Sequence, residues 1–188
     1  MDIIIKNLCK SYGEKTVLNN LSAVIPAGKI TCLMGQSGIG KTTLLNILMG
    51  FEKADSGTVE NLPRLKSAVF QENRLCESFS AATNIKIAAD NISDSTVSQH
   101  LKAVGLAGCE GQQVSTLSGG MKRRVALVRA VLAESDILLL DEPFKGLDES
   151  TKQLAIGYLT QNTAGKTVFM VTHDADEAEK LGANILYL

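Results

Sequence analysis

The sequence predicts an α/β domain built on a mostly parallel central sheet, with a small antiparallel β part and an inserted helical subdomain. Three observations carry this expectation. Apolar runs rich in Ile, Val and Leu recur along the chain, in "DIIIK", "LSAVI", "KITCLM", "SAVF", "DILLL", "TVFMVT" and "NILYL". Several of them are apolar at consecutive rather than alternate positions, as a strand covered on both faces requires. Helical stretches separate them, which is the pattern of strands joined by crossovers.

Taken in order, the first two runs are read as the antiparallel part, and "KITCLM" as the first strand of the main sheet. The spacing predicts helices over Lys41 to Met49, Ser118 to Ala133, Glu149 to Asn162 and Asp174 to Leu181. Their ends carry stop and start chemistry: Gly50 ends the first, Asp148 is placed to cap the third through a side-chain oxygen, and Gly182 ends the last. From Glu72 to Leu117 the composition turns polar, and "AATNIKIAADNISDSTVSQHLKAVGL" predicts two or three short helices between sheet elements. The expected division is thus one domain, with 1–71 and 135–188 forming its core and 72–134 a helical subdomain.

At 188 residues, 45% of them hydrophobic and 21% charged, the chain is long enough to bury a core without disulfides. The net charge of −1 gives no broad basic field, and the run Lys122, Arg123, Arg124 is short, so nucleic acid is not expected as a partner. Cys9, Cys32, Cys76 and Cys109 are far apart, with no CxxC pair and no histidine cluster beside them; they are read as reduced thiols of a cytoplasmic protein. The N-terminus "MDIIIKNLCKSYGEK" resembles neither a signal nor a transit peptide. No apolar run approaches the roughly 20 residues needed to cross a bilayer, so a membrane role is expected to come through a separate chain.

The strongest chemical signal is "GQSGIGKTT", Gly35 to Thr43, which satisfies GxxxxGK[ST] between an apolar strand and an apolar helix. Such glycines let backbone N–H groups turn toward a diphosphate, and the helix start adds its partial positive charge. Lys41 is expected to reach the β- and γ-phosphates, Thr42 to ligate Mg²⁺, and Thr43 to bond the α-phosphate. A magnesium nucleotide site also needs a carboxylate at a strand end, and "DILLLDEP" drives Asp141 to that place. Asp141 is read as holding Mg²⁺, through water, in a P-loop NTPase. Its neighbour Glu142 is placed to orient or deprotonate the attacking water. His173, in "VTHDADEAE", follows another apolar strand and is placed either as a neighbour of a helix cap or as a γ-phosphate contact.

A second anion-binding pattern stands far downstream. In "TLSGGMKRRVALVRAVL" a serine and two glycines open an amphipathic basic helix. Ser118 is read either as an N-cap alone or, with Gly119 and Gly120, as part of a phosphate site.

Together these motifs resemble an ATP-binding-cassette ATPase. Gly35 to Thr43, "VFQE" with Gln71, "LSGGM" at 117–121, "ILLLDEP" at 137–143, "GLD" with Asp148, and "TH" with His173 fall in that family's order and approximate spacing, from Ile3 to Leu188. The resemblance implies that Tyr12, in "KSYGEKTVL", stacks on adenine. It implies that Gly35, Ser37, Gly38, Gly40, Lys41, Thr42 and Thr43 cradle ATP, that Gln71 contacts Mg²⁺ or the attacking water, and that Glu142 is the base and His173 the γ-phosphate switch. It further implies that Ser118, Gly119 and Gly120 cover the γ-phosphate held by a second cassette, and that Asp148 lies in the loop crossing between the two chains. The implied protein is a peripheral cytoplasmic subunit whose ATP-driven closure and hydrolysis power a separate integral membrane permease. "VFQENRL" and "DEPFKGLD" are similar to importer cassettes of the nitrate, sulfonate and taurine group.

Two departures stand out. Met121 replaces the family's usual glutamine, and the segment from Gly57 to Gln71 is short, as is the end of the chain, where no regulatory domain is expected. Two other classes share the motifs: a soluble cassette ATPase acting on a protein or nucleic-acid assembly, and an ATP-holding regulatory module that does not turn over. The presence of Gln71, Glu142 and His173 together argues against the second.

Overall fold

The computed structural model describes residues 1–89 and 91–188 and divides them into two compact units. The first comprises Met1–Lys66, Asp136–Asp141 and Gly165–Leu188; the second comprises Ser67–Ser135 and Glu142–Ala164.

The first unit holds two sheets. β1 (Ile3–Tyr12) lies between β2 (Lys15–Ile25) and β4 (Ser56–Glu60) in an antiparallel sheet. β3 (Ile30–Met34), β6 (Ile137–Asp141), β7 (Thr167–Val171) and β8 (Asn184–Tyr187) form the parallel sheet in the order β6-β7-β3-β8. All five residues of β6 and all five of β7 are buried, which is why "ILLL" and "VFMV" within them read as unbroken apolar runs. α1 (Lys41–Met49) packs on β6 and β7, burying Leu44, Leu45 and Leu48 completely. Each such leucine contributes about 1.5–3 kcal/mol relative to an exposed one. α6 (Ala175–Lys180) follows β7 and ends before Gly182, whose φ is 59°.

The second unit takes up the chain at Ser67, within β5 (Lys66–Val69), and is mainly helical from there. α2 (Ala81–Lys86) and α3 (Asp94–Ala103) pack on α4 (Gly119–Leu132), which also contacts α5 (Glu149–Asn162). Ser80, Ser93, Ser118 and Asp148 each cap a helix, accepting a backbone N–H from three residues on. Ile85, Leu101, Val125, Ala126, Val128 and Leu159 form its core, each with no exposed surface. Among the described residues, no helix is long and apolar enough to cross a membrane.

α1 and α5 run over the spans that spacing and caps predict. The helix expected over Ser118 to Ala133 begins one residue later and ends one earlier, because Ser118 and Ala133 are its caps. The helix expected from Asp174 is likewise shorter, with Asp174 as its cap. The antiparallel part differs more. β1 and β2 run well past "DIIIK" and "LSAVI", and β4 corresponds to no apolar run. Register shifts after Ile5 and Leu8 break the alternation that would have marked β1, and Asn7 takes a left-handed φ of 48° there. β4 pairs closely against that bulge: a Cβ on Gly57 would stand 2.4 Å from the Asn7 carbonyl oxygen, so only glycine fits.

Candidate active site

In the first unit the loop between β3 and α1 is shaped by its glycines. Gly40 has φ 121°, and a Cβ there would lie 2.8 Å from both Val17 Cγ1 and the Val17 carbonyl oxygen. The position therefore excludes every side chain, and it lets the Gly40 carbonyl accept from Leu44 N at 2.9 Å to start the helix. Lys41, the first residue of α1, is 8% exposed. Its ammonium donates to the Gly35 and Gln36 carbonyl oxygens, each at 2.8 Å, so it is held over the loop rather than released to solvent. Ser37 and Gly38 are exposed at the loop's turn, and Thr43 is half-buried below it.

Thr42 meets Asp141 in the same unit. Its hydroxyl donates to Asp141 Oδ2 at 3.3 Å, and Asp141 is only 4% exposed at the end of β6. Two residues 99 positions apart are thus brought together because α1 packs on β6. Tyr12 and His173 are the other predicted residues of this unit. Tyr12 ends β1 with 48% of its surface exposed, and Lys10 Nζ lies 5.2 Å from its ring centroid. Lys10 is itself paired with Glu52 at 2.9 Å and Asp55 at 3.3 Å. His173 is exposed in the turn between β7 and α6. That turn is fixed by Thr172, whose buried hydroxyl donates to Glu177 Oε2 at 2.5 Å and accepts from Asp174 N at 3.1 Å.

The second unit carries the other group. Glu142 sits just after β6 with φ 46°, a left-handed conformation that is uncommon for a residue with a side chain. Its carboxylate accepts from Lys145 Nζ at 2.6 Å. Gln71 is exposed in the segment after β5. Ser118 and Gly119 are exposed at the start of α4, where Ser118 Oγ accepts from Met121 N at 3.3 Å. A Cβ on Gly119 would meet nothing within 4 Å, whereas one on Gly120 would come to 3.3 Å from Leu147 Cδ2. Asp148 caps α5, and its carboxyl is held well below the usual carboxylate range, first by the Ser150 hydroxyl and then by the Thr151 hydroxyl and backbone N–H.

Arg123 belongs to this group although its chemistry did not announce itself. It is 4% exposed in α4, and its guanidinium donates to the Phe70 and Gln71 carbonyl oxygens, to Asn73 Oδ1 and to the Glu142 carbonyl oxygen. The sequence signal for it was helical period rather than charge. Position 123 lies three, four and seven residues before Ala126, Leu127 and Ala130, on the face that α4 buries. Thr172, Glu177 and Lys145 were likewise not singled out, and nothing in their local sequence marks them.

A family model described as ABC transporter matches residues 18–145. The chain belongs to the ABC transporter family. The cassette is accordingly an ATP-binding, ATP-hydrolysing subunit of a transporter. It is 41% identical over 184 residues to the aliphatic sulfonates import ATP-binding protein SsuB 3 of Rhodococcus jostii (strain RHA1), an alignment spanning 95% of this chain and 68% of that one. Among solved structures it is similar to the dimeric structure of MJ0796, a bacterial ABC transporter cassette, with TM-score 0.85, 29% identity, and 99% and 94% of the two chains covered. The dimeric post-hydrolysis state of the same cassette bound to ADP and Pi gives TM-score 0.84 at 29% identity with the same coverage.

Proposed function

We propose that this cassette drives import through a separate membrane permease, working at the cytoplasmic face as a pair of identical chains that close on Mg-ATP and part after hydrolysis. The contact between Thr42 and Asp141 beside Lys41 is the observation that carries the nucleotide site. It unites a phosphate loop, a hydroxyl and a buried carboxylate in one compact unit. Kinship with import ATP-binding proteins supports the transport direction. Their name makes aliphatic sulfonates the first solutes to test.

Tyr12 offers an exposed ring for adenine, and Gly35, Ser37, Gly38, Gly40 and Lys41 receive the phosphates, with Thr43 beneath the α-phosphate. The groups that would hold Mg²⁺ are the Thr42 hydroxyl, the Asp141 carboxylate and the Gln71 side chain. These are hard oxygen donors, and they are few. That suits Mg²⁺, which keeps several waters and takes the rest of its ligands from phosphate. Among the described residues, no cluster of three or more His, Cys, Asp or Glu is placed to hold a metal. Held by those oxygen donors, Mg²⁺ would neutralise charge on the phosphates.

Glu142 accepts the proton of the attacking water, Gln71 orients that water, and His173 donates to a γ-phosphate oxygen. Lys41 must leave the Gly35 and Gln36 carbonyls to follow the phosphates. Ser118, Gly119 and Gly120 complete the site of the opposing chain, their exposed helix start presenting N–H groups to the γ-phosphate. In functional terms 1–71 and 135–188 form the nucleotide-binding core and 72–134 the helical signature subdomain. The permease is expected to dock near Gln71 and the helices that follow it.

Affinity purification from membranes tests the transport reading. An integral membrane protein should copurify, and solute should stimulate phosphate release in the complex. Copurification with ribosomes or DNA instead, with no membrane protein present, contradicts it.

A further inference from the structure

Arg123 is a buried cation in α4 that donates to oxygens of two separate segments. One guanidinium nitrogen, Nη1, serves the Phe70–Asn73 segment: it donates to the Phe70 carbonyl, to the Gln71 carbonyl at 3.3 Å and to Asn73 Oδ1 at 3.1 Å. The other, Nη2, donates to the Glu142 carbonyl at 2.5 Å. Both segments and the helix belong to the same compact unit.

We propose that Arg123 is a positioning residue that fixes the backbone carrying Gln71 and the backbone carrying Glu142 in one register, so that the water-orienting amide and the base move together. Two features give the guanidinium this role. It is planar and rigid, so a shift of the 70–73 segment against Nη1 turns the same plane that holds Glu142 through Nη2. An ammonium, by contrast, is a point on a flexible stem and does not couple two directions. Glu142 also needs an external hold. Its φ of 46° is a conformation that its own side chain disfavours, and its carbonyl is kept in place by Arg123 and by Lys145 N, which donates at 3.1 Å. Arg129 also holds the end of the first segment, donating to the Asn73 and Arg74 carbonyls. It is Arg123 that reaches Glu142 as well, so loss of the Arg123 guanidinium removes the bonds that join the Phe70–Asn73 segment and the Glu142 carbonyl through one side chain.

The inference rests on the assignment of Glu142 and Gln71 to hydrolysis. The split between kcat and KM separates it from a simple packing role. Steady-state ATP hydrolysis by R123K and R123A, with E142Q as control, tests it. In both Arg123 variants kcat should fall by about tenfold or more while the KM for ATP stays within about twofold, the signature of an interaction that matters after binding. Millimolar methylguanidinium should restore a measurable part of kcat in R123A and none in E142Q. Hydrogen exchange offers a readout independent of turnover: in R123K, amides of 70–73 and of 142–145 should lose protection together while those of α1 keep theirs.

A kcat close to wild type in R123K and R123A overturns the proposal, as does a raised KM at unchanged kcat. Exchange that rises in only one of the two segments overturns the coupling. If R123A does not fold, R123K and its exchange pattern decide. An E142Q protein as active as wild type counts against the assignment of the base. The exchange experiment then still decides whether Arg123 ties the two segments.

Discussion

The Thr42 hydroxyl donates to Asp141 Oδ2 at 3.3 Å, with Asp141 held at the buried end of β6. A carboxylate in that position has been taken out of water and is hydrogen-bonded by the hydroxyl proposed above as a Mg²⁺ ligand. Replacing Asp141 by asparagine keeps the shape and removes the charge. The expected outcome is a rise of about 10–100-fold in the Mg²⁺ concentration needed for half-maximal ATP hydrolysis, the range seen when a partner of a bound metal is lost. A Mg²⁺ titration of phosphate release measures it, and EDTA should abolish the release in both proteins.

Gly119 gives a test of the opposing-chain site that does not disturb the fold. A side chain there meets nothing within 4 Å, and the position is exposed at the start of α4. Gly119→Asp should therefore fold and melt like wild type in the absence of nucleotide. It should also bind ATP through its own phosphate loop, yet fail to hydrolyse it, because a carboxylate now faces a γ-phosphate across the pair. Thermal melts, nucleotide binding and phosphate release separate these three expectations.

Asp148 predicts a pH dependence. Its folded-state pKa is depressed by the Ser150 hydroxyl first, then by Thr151. A depressed carboxylate adds stability that is complete above its unfolded pKa and is lost as pH falls toward the folded value. Asp148→Ala should thus melt below wild type at pH 7, and the gap should narrow once the pH drops below about 4, where the unfolded carboxyl takes up its proton. Paired melting curves of the nucleotide-free protein from neutral pH downward measure the gap.

The sequence told most about elements that carry their own boundary chemistry. α5 was legible to the residue because Asp148 caps it and because its apolar positions fall at helical spacing. β6 and β7 were legible because a strand buried on both faces is apolar at consecutive positions through its interior, with polar residues only at an end. The antiparallel sheet was not, for the opposite reason: the bulge at Asn7 interrupts the alternation, and β4 draws its stability from pairing with β1 rather than from its own side chains. In the site, Lys41, Thr42 and Asp141 could be placed from sequence since motif and strand pattern point to the same sheet end. Arg123 could not, because in "MKRRV" three cations look alike, and only the burial of one face of α4 separates Arg123 from Lys122. Lys122 pairs at the surface with Glu77, whereas Arg123 turns inward to four oxygens.

In the proposed cycle ATP joins two cassettes and Glu142 ends the union by hydrolysis. Glu142→Gln keeps the side-chain volume and removes the base, so ATP should stay intact in the site. Light scattering during size exclusion is the direct measurement. With Mg-ATP the variant should elute at twice the 20.0 kDa of one chain, and with Mg-ADP it should return to a single chain. A Glu142→Gln protein that binds Mg-ATP yet remains at the single-chain mass at high protein concentration would contradict the account.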